Sequence, residues 1–188
     1  MCIYFYLRPL SCSKITYNGC KLEYNWEKIV ILGLIVAVIV VLLDQLSKYW
    51  MFHQVLAEKS VIEIFPCFNL VKAWNTGVSF SMFNDGGTLG IVILSALALV
   101  IVAFLLKWLH GETNRLIQVS LGMIIGGAIG NVIDRISYGA VFDFLDFYWK
   151  DAHWPAFNVA DSFICVGAII IIIHSIFDNS KKTERGEN

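Results

Sequence analysis

Four long apolar runs restrict the folds open to this chain more than any other feature of its sequence. They lie at about residues 29–47, 89–107, 116–134 and 159–177, each close to the roughly 20 residues a helix needs to cross a hydrocarbon core. A bilayer offers no water to unpaired backbone groups, so such runs resolve as helices, whose peptide groups satisfy one another. Composition agrees: of 188 residues, 57% are apolar and 15% charged, outside the range of ordinary globular or disordered chains. The expected fold is an all-α integral membrane protein of four transmembrane helices with no sizeable soluble domain. A net charge of −1 supplies no basic face, so nucleic acid is not an expected partner. The cysteines at 2, 12, 20, 67 and 165 show no metal-site spacing and read as unpaired thiols.

Lysine and arginine placement predicts the topology, because positive residues near span ends stay in the cytoplasm. Arg8, Lys14, Lys21 and Lys28 precede the first span, Lys107 and Arg115 separate the second from the third, and Lys181, Lys182 and Arg185 follow the fourth. Both termini are therefore expected inside: residues 1–26 as a cytoplasmic extension too weakly apolar for a cleaved signal peptide, and 178–188 as a cytoplasmic tail. The two long connections then face outward. In the first, SVIEIFPCFNLVKAWN is rich in β-branched and aromatic residues and reads as a small sheet resting on the membrane. The second carries DFLDFYWKDAHWP, whose aromatics beside charges suit an interfacial loop in the headgroup layer. In the third span Gly122, Gly126 and Gly130 form a bare stripe for close helix packing.

Polar residues gathered at one end of such a bundle demand another explanation. Asp44, Asp134, Asp143 and Asp161, with Asn75, Asn131 and Asn158, all fall toward the outer end, although an ionisable group at membrane depth costs about 2.5–3.5 kcal/mol. Several have plain structural readings. Asp44 and Lys48 are one turn apart and suit an intrahelical pair, Asp134 suits a local ion pair with Arg135, and Asp161 suits a helix cap or dipole partner. Asp146 and Asp151 read as solvated loop acids, and His174 as a packed polar residue. The remaining possibility is that Asp143 and Asp161 meet over the top of adjacent helices. Two facing carboxylates in a partly dry site share a proton, leaving one as acid and one as base able to activate water against a peptide carbonyl. The histidines at 53, 110, 153 and 174 make no HExxH pattern and no GxSxG occurs. A zinc hydrolase and a serine nucleophile therefore lack support, and no metal or other cofactor is expected. A small ion or proton transporter would also gather carboxylates, but as a relay along the span interiors.

The motifs DQLSK (44–48), WNTGVSFSMF (74–83), GGAIGNVIDR (126–135), VFDF (141–144) and FNVADS (157–162) resemble, in order and spacing, the lipoprotein signal peptidases, or signal peptidase II. The likeness covers about residues 27–177, and the combination is far more specific than any one motif. It implies a four-helix aspartyl endopeptidase of the bacterial inner membrane, a monomer surrounded by membrane lipid. Such an enzyme removes signal peptides from diacylglyceryl-modified prolipoproteins, before the lipidated Cys. The family's catalytic aspartates fall on Asp143 and Asp161, and its supporting polar positions on Asp44, Lys48, Asn75, Gly77, Asn131, Asp134, Arg135 and Asn158. The outer sheet and the aromatic connection would correspond to its membrane-surface cradle and mobile lid. The N-terminal extension is longer than the family usually shows.

Overall fold

The computed structural model describes residues 16–17, 20–21, 26–77 and 87–184. Most of the N-terminal extension, residues 78–83 of the WNTGVSFSMF motif and residues 185–188 of the tail lie outside them. Two short strands, β1 (Thr16–Tyr17) and β2 (Cys20–Lys21), pair before the bundle. The helices are α1 (Trp26–Trp50), α2 (Gly87–Gly111), α3 (Arg115–Tyr138) and α4 (Val159–Glu184). All four are long and apolar enough to cross a membrane, as the hydropathy predicts. The helices outrun the apolar cores because polar residues extend their ends: α1 continues past Asp44 and Lys48 into a π-helical turn at Met51–Val55.

The α3 helix is the most buried of the four and touches each of the others. Its start is fixed by Asn114, whose Oδ1 accepts from the Leu116 amide (2.9 Å). Its end is fixed by Gly139, left-handed at φ 75°, whose N–H donates to the Arg135 carbonyl (3.1 Å). Between these caps the glycines set how near its neighbours lie. A β-carbon on Gly126 would stand 2.5 Å from the Ala37 carbonyl oxygen of α1, and one on Gly127 would stand 2.5 Å from the Ala160 carbonyl oxygen of α4. Leu105, Leu109, Ile117, Leu121 and Ile125 close the core between α2 and α3.

Because the chain reverses at every span, the connections α1 to α2 and α3 to α4 emerge at the same end. They join in one antiparallel sheet of order β3-β4-β5-β6: Val61–Phe65, Phe68–Asn75, Val141–Trp149 and Ala152–His153. The first connection forms the expected sheet. The second is ordered as strand β5 and a tight hairpin rather than a separate interfacial loop, with Lys150 at φ 56° in the turn. Its first half, Val141 to Phe144, is buried on both faces, which conceals the alternation that marks a half-exposed strand. Leu56, Leu70, Phe142 and Phe144 form a second apolar core between sheet and helices.

Close approach of α1 to α3 gives a direct test. Gly126→Ala should destabilise the detergent-solubilised protein by about 1–3 kcal/mol in thermal or denaturant unfolding, outweighing the roughly 1 kcal/mol of helix propensity alanine adds. Gly111→Ala, at the last residue of α2, where an added β-carbon meets nothing within 4 Å, should be neutral to slightly stabilising.

Candidate active site

The shared end of the bundle brings the candidate acids together. Asp143 lies on β5, 1% exposed, and Asp161 lies in the first turn of α4, partly exposed. Asn158 stands between them. Its Nδ2 donates to Asp143 Oδ1 (2.7 Å) and its Oδ1 accepts from the Asp161 amide (3.0 Å), while its own N–H donates to Asp161 Oδ2 (3.3 Å). The last two bonds form a reciprocal cap on α4 of the capping-box kind, with aspartate in the place usual for glutamate or glutamine. Asp161 thus does act at its helix start, as a bare sequence reading allows, and its Oδ1 is still engaged elsewhere. Asn158 is delivered to this place by the backbone: Phe144 and Leu145 both donate to the Phe157 carbonyl (3.1 and 2.9 Å), and Phe157 donates to Leu145 (3.0 Å).

Two more amides complete the inner ring. Asn75, last residue of β4, donates to Asp143 Oδ2 (3.1 Å) and accepts from the Gly77 amide (2.8 Å). That turn holds Gly77 at φ 78°, a conformation few side chains adopt. Asn131 of α3 donates to Asp161 Oδ1 (2.7 Å), and its Oδ1 accepts from Asn158 Nδ2 (3.2 Å) and from Lys48 Nζ (3.2 Å).

Beneath this ring lies a buried ionic cluster. Lys48 Nζ contacts Asp44 Oδ2 (2.8 Å) and Asp134 Oδ2 (2.9 Å) besides Asn131, so each of its three hydrogens has an acceptor. The intrahelical Asp44–Lys48 pair forms as expected. The expected Asp134–Arg135 pair does not: Asp134 is 1% exposed and pairs with Lys48, because adjacent helical residues point about 100° apart. Gln45, inside the DQLSK motif but not among the expected supporting positions, donates to Asp44 Oδ2 (3.1 Å), Asp134 Oδ1 (2.9 Å) and the Gly130 carbonyl (3.3 Å). Asp44 Oδ1 accepts from the Ala160 amide (3.0 Å) and Asp134 Oδ2 from the Phe142 amide (3.1 Å). Each supporting acid therefore grips the backbone one residue ahead of a candidate acid.

The electrostatics divide the site. Burial pushes the Asp143 carboxyl up to about 6, with the nearby Asp161 charge adding to the rise, while hydrogen bonds from Asn75 and Asn158 and the Lys48 charge oppose it. Arg135 interacts electrostatically with Asp161, Asp143 and Asp134. Its Nη1 donates to the Asn131 carbonyl (3.3 Å), whereas its buried Nε has no hydrogen-bond partner among the described residues. Among the described residues, no group of three or more His, Cys, Asp or Glu side chains could hold a metal ion.

Outside this ring, Asp151 is exposed as expected, and His174 is bonded to Asn114 (2.8 Å). Asp146 corrects its reading as a solvated acid. It is 6% exposed, held by Asn69 Nδ2 (3.0 Å) and by His153 Nδ1 (2.9 and 3.0 Å to its two oxygens). Its neighbours Leu145 and Phe147 are only partly buried or exposed, and it is held by Asn69 and His153 of the adjacent strands.

The chain is similar to known proteins. The family model described as signal peptidase (SPase) II matches residues 36–177. A lipoprotein signal peptidase of Rhodopseudomonas palustris is 40% identical over 150 residues, covering 77% of this chain and 92% of that protein. One of Aeromonas hydrophila is 42% identical over 170 residues, covering 89% and 96%. Among solved structures, a bacterial membrane enzyme determined by the in meso method at 2.3 Å matches with a TM-score of 0.67 and 29% identity, over 80% of this chain and 90% of that one. A second, determined at 1.9 Å, matches with a TM-score of 0.64 over 76% and 90%. The family match over residues 36–177, together with relatives 40% and 42% identical over most of the chain, places this chain in the signal peptidase II family.

Proposed function

We propose that this protein is an aspartyl endopeptidase that removes the signal peptide of diacylglyceryl-modified prolipoproteins, cutting before the lipidated cysteine. The observation that carries the reading is the Asn158 bridge: one amide side chain bonded to the carboxylate of Asp143 and to the backbone of Asp161. Buried Asp143, raised to about 6, holds the proton of the pair, and the more accessible Asp161 is the base. Asp161 takes a proton from water as the water oxygen bonds to the scissile carbonyl carbon, and Asp143 gives its proton to the carbonyl oxygen. Collapse of the tetrahedral adduct returns that hydroxyl proton to Asp143 as the carbon–nitrogen bond breaks, and the leaving amine takes the proton held by Asp161. Asn75, Asn131 and Asn158 keep both carboxyl groups oriented, and Arg135 retains donor capacity for a substrate carbonyl or headgroup.

The positive-inside distribution supports an inner-membrane enzyme with both termini cytoplasmic and the site at the outer face. That level suits a substrate whose own lipid fixes the depth of its scissile bond. We read the enzyme as a monomer working in membrane lipid. The transporter alternative is not supported. The acids cluster at one end of the bundle instead of forming a relay, and the relatives are lipoprotein signal peptidases.

Asp143→Asn and Asp161→Asn keep size but remove the ionisable proton. Each alone should reduce turnover of a lipidated precursor by at least about 1,000-fold at normal membrane abundance, and the double variant should be scarcely worse, because groups acting as one unit are not additive. The wild-type pH profile should be a bell. Asp143 is raised, so its proton is present below about pH 6 and lost above it, which sets the alkaline limb. Near-normal turnover by Asp143→Asn would end the paired-acid mechanism. Substrate choice has a separate check: a diacylglyceryl peptide should be cleaved much faster than its unlipidated twin, and equal rates would remove the lipid from the account.

A further inference from the structure

The Asp146 cluster lies outside the ring that surrounds the candidate acids, yet it is built with equal care. Asp146 sits on β5, three residues beyond Asp143, and its partner across the β4–β5 ladder is Asn69. Asn69 Nδ2 holds Asp146 Oδ2 at 3.0 Å, and His153 of β6 approaches both carboxylate oxygens through Nδ1 at 2.9 and 3.0 Å. A carboxylate only accepts, so His153 donates from Nδ1. The imidazole also stacks on Tyr148 of β5 at 5.1 Å and 19°, and the Tyr148 hydroxyl donates to Glu63 of β3 (3.3 Å). One connected set of side chains therefore ties all four strands.

The backbone ladder explains why such a set is needed. Between the pairs Leu70–Leu145 and Ala73–Asp143 the β4 strand advances three residues while β5 advances two. This one-residue bulge lies between the Asn69–Asp146 pair and Asp143. A bulge loosens local pairing, and a one-residue slip of β5 would turn Asp143 to the opposite face. Burying a carboxylate costs free energy unless it is bonded, so Asp146 holds its hairpin only in the register that supplies Asn69 and His153.

We infer that Asn69, Asp146 and His153 form a second positioning clamp, which fixes Asp143 by locking the register of β5 across the bulge. This rests on the reading of Asp143 and Asp161 as the cleavage pair. His153 and Asp146 act through the strand and are positioning residues. A loosened β5 admits water to Asp143, and burial is the main cause of its raised value of about 6. Hydration therefore lowers that value, the proton leaves earlier, and the alkaline limb moves to lower pH.

The test compares full-length His153→Ala, His153→Asn, Asp146→Asn and Asp143→Asn enzymes on a diacylglyceryl peptide, at matched membrane abundance. His153→Ala should lower kcat about 10- to 100-fold, the scale of a small misplacement of a reacting group, with KM unchanged and the alkaline limb shifted to lower pH. His153→Asn, whose amide stands where Nδ1 does, should recover most of the loss and return the limb. Asp146→Asn combined with His153→Ala should be no worse than His153→Ala alone. Wild-type kcat and an unmoved limb in His153→Ala, with Asp143→Asn inactive, would overturn the clamp and leave the paired-acid reading standing. An equal loss in His153→Asn and His153→Ala would also overturn it. Turnover by Asp143→Asn would instead remove the reading on which the clamp rests.

Discussion

The site depends on one buried cation. Lys48 is 5% exposed, and the acids on either side of it, Asp44 and Asp134, are 0% and 1% exposed. Removing three charges from water is expensive, and such a cluster persists only when every lone pair and hydrogen is matched. Here the matching does structural duty. Asp44 reaches the Ala160 amide and Asp134 the Phe142 amide, so α1 and α3 determine where α4 and β5 begin. The residues that follow those two amides are Asp161 and Asp143. Ionic pairing in the helices is thereby converted into the placement of two carboxyl groups on separate elements.

The glycine stripe is part of the same device. Close packing accounts for Gly122 and Gly126, each of which meets the α1 backbone. Gly130 differs, because a β-carbon there would stand 2.5 Å from Asp44 Oδ2. Its missing side chain makes room for a carboxylate as well as for a helix. Where lipid removes the usual hydrophobic drive, small residues let helices meet, and at the sheet end of α3 that proximity brings Asp134 to Lys48 and Gln45, which hold Asp44 on α1.

Much of this was legible in the residues. Hydropathy exposes the four spans because a bilayer tolerates little else, and β-branched alternation exposes β3 and β4. The polar positions Asp44, Lys48, Asn75, Asn131, Asn158, Asp143 and Asp161 stand out by their cost at membrane depth, and the structure joins them through hydrogen bonds. What escaped has physical reasons. The β5 strand is buried on both faces at its start and carries exposed aromatics at its end, so it shows neither alternation nor a loop composition. Asp146 looks solvated until Asn69 and His153, 77 residues before it and 7 after it, fold against it. Gln45 is one more polar residue on a helix until α3 lies beside it.

The most direct measurement is turnover of a lipidated precursor by Lys48→Met. Leaving Asp44 and Asp134 without their cation should cost about 3–5 kcal/mol of stability and misplace both acids, with a loss of at least about 100-fold in kcat. Adding Asp44→Asn and Asp134→Asn removes the uncompensated charges, so the triple variant should regain thermal stability while remaining inactive. Turnover within about twofold of wild type in Lys48→Met would contradict a site positioned by this cluster.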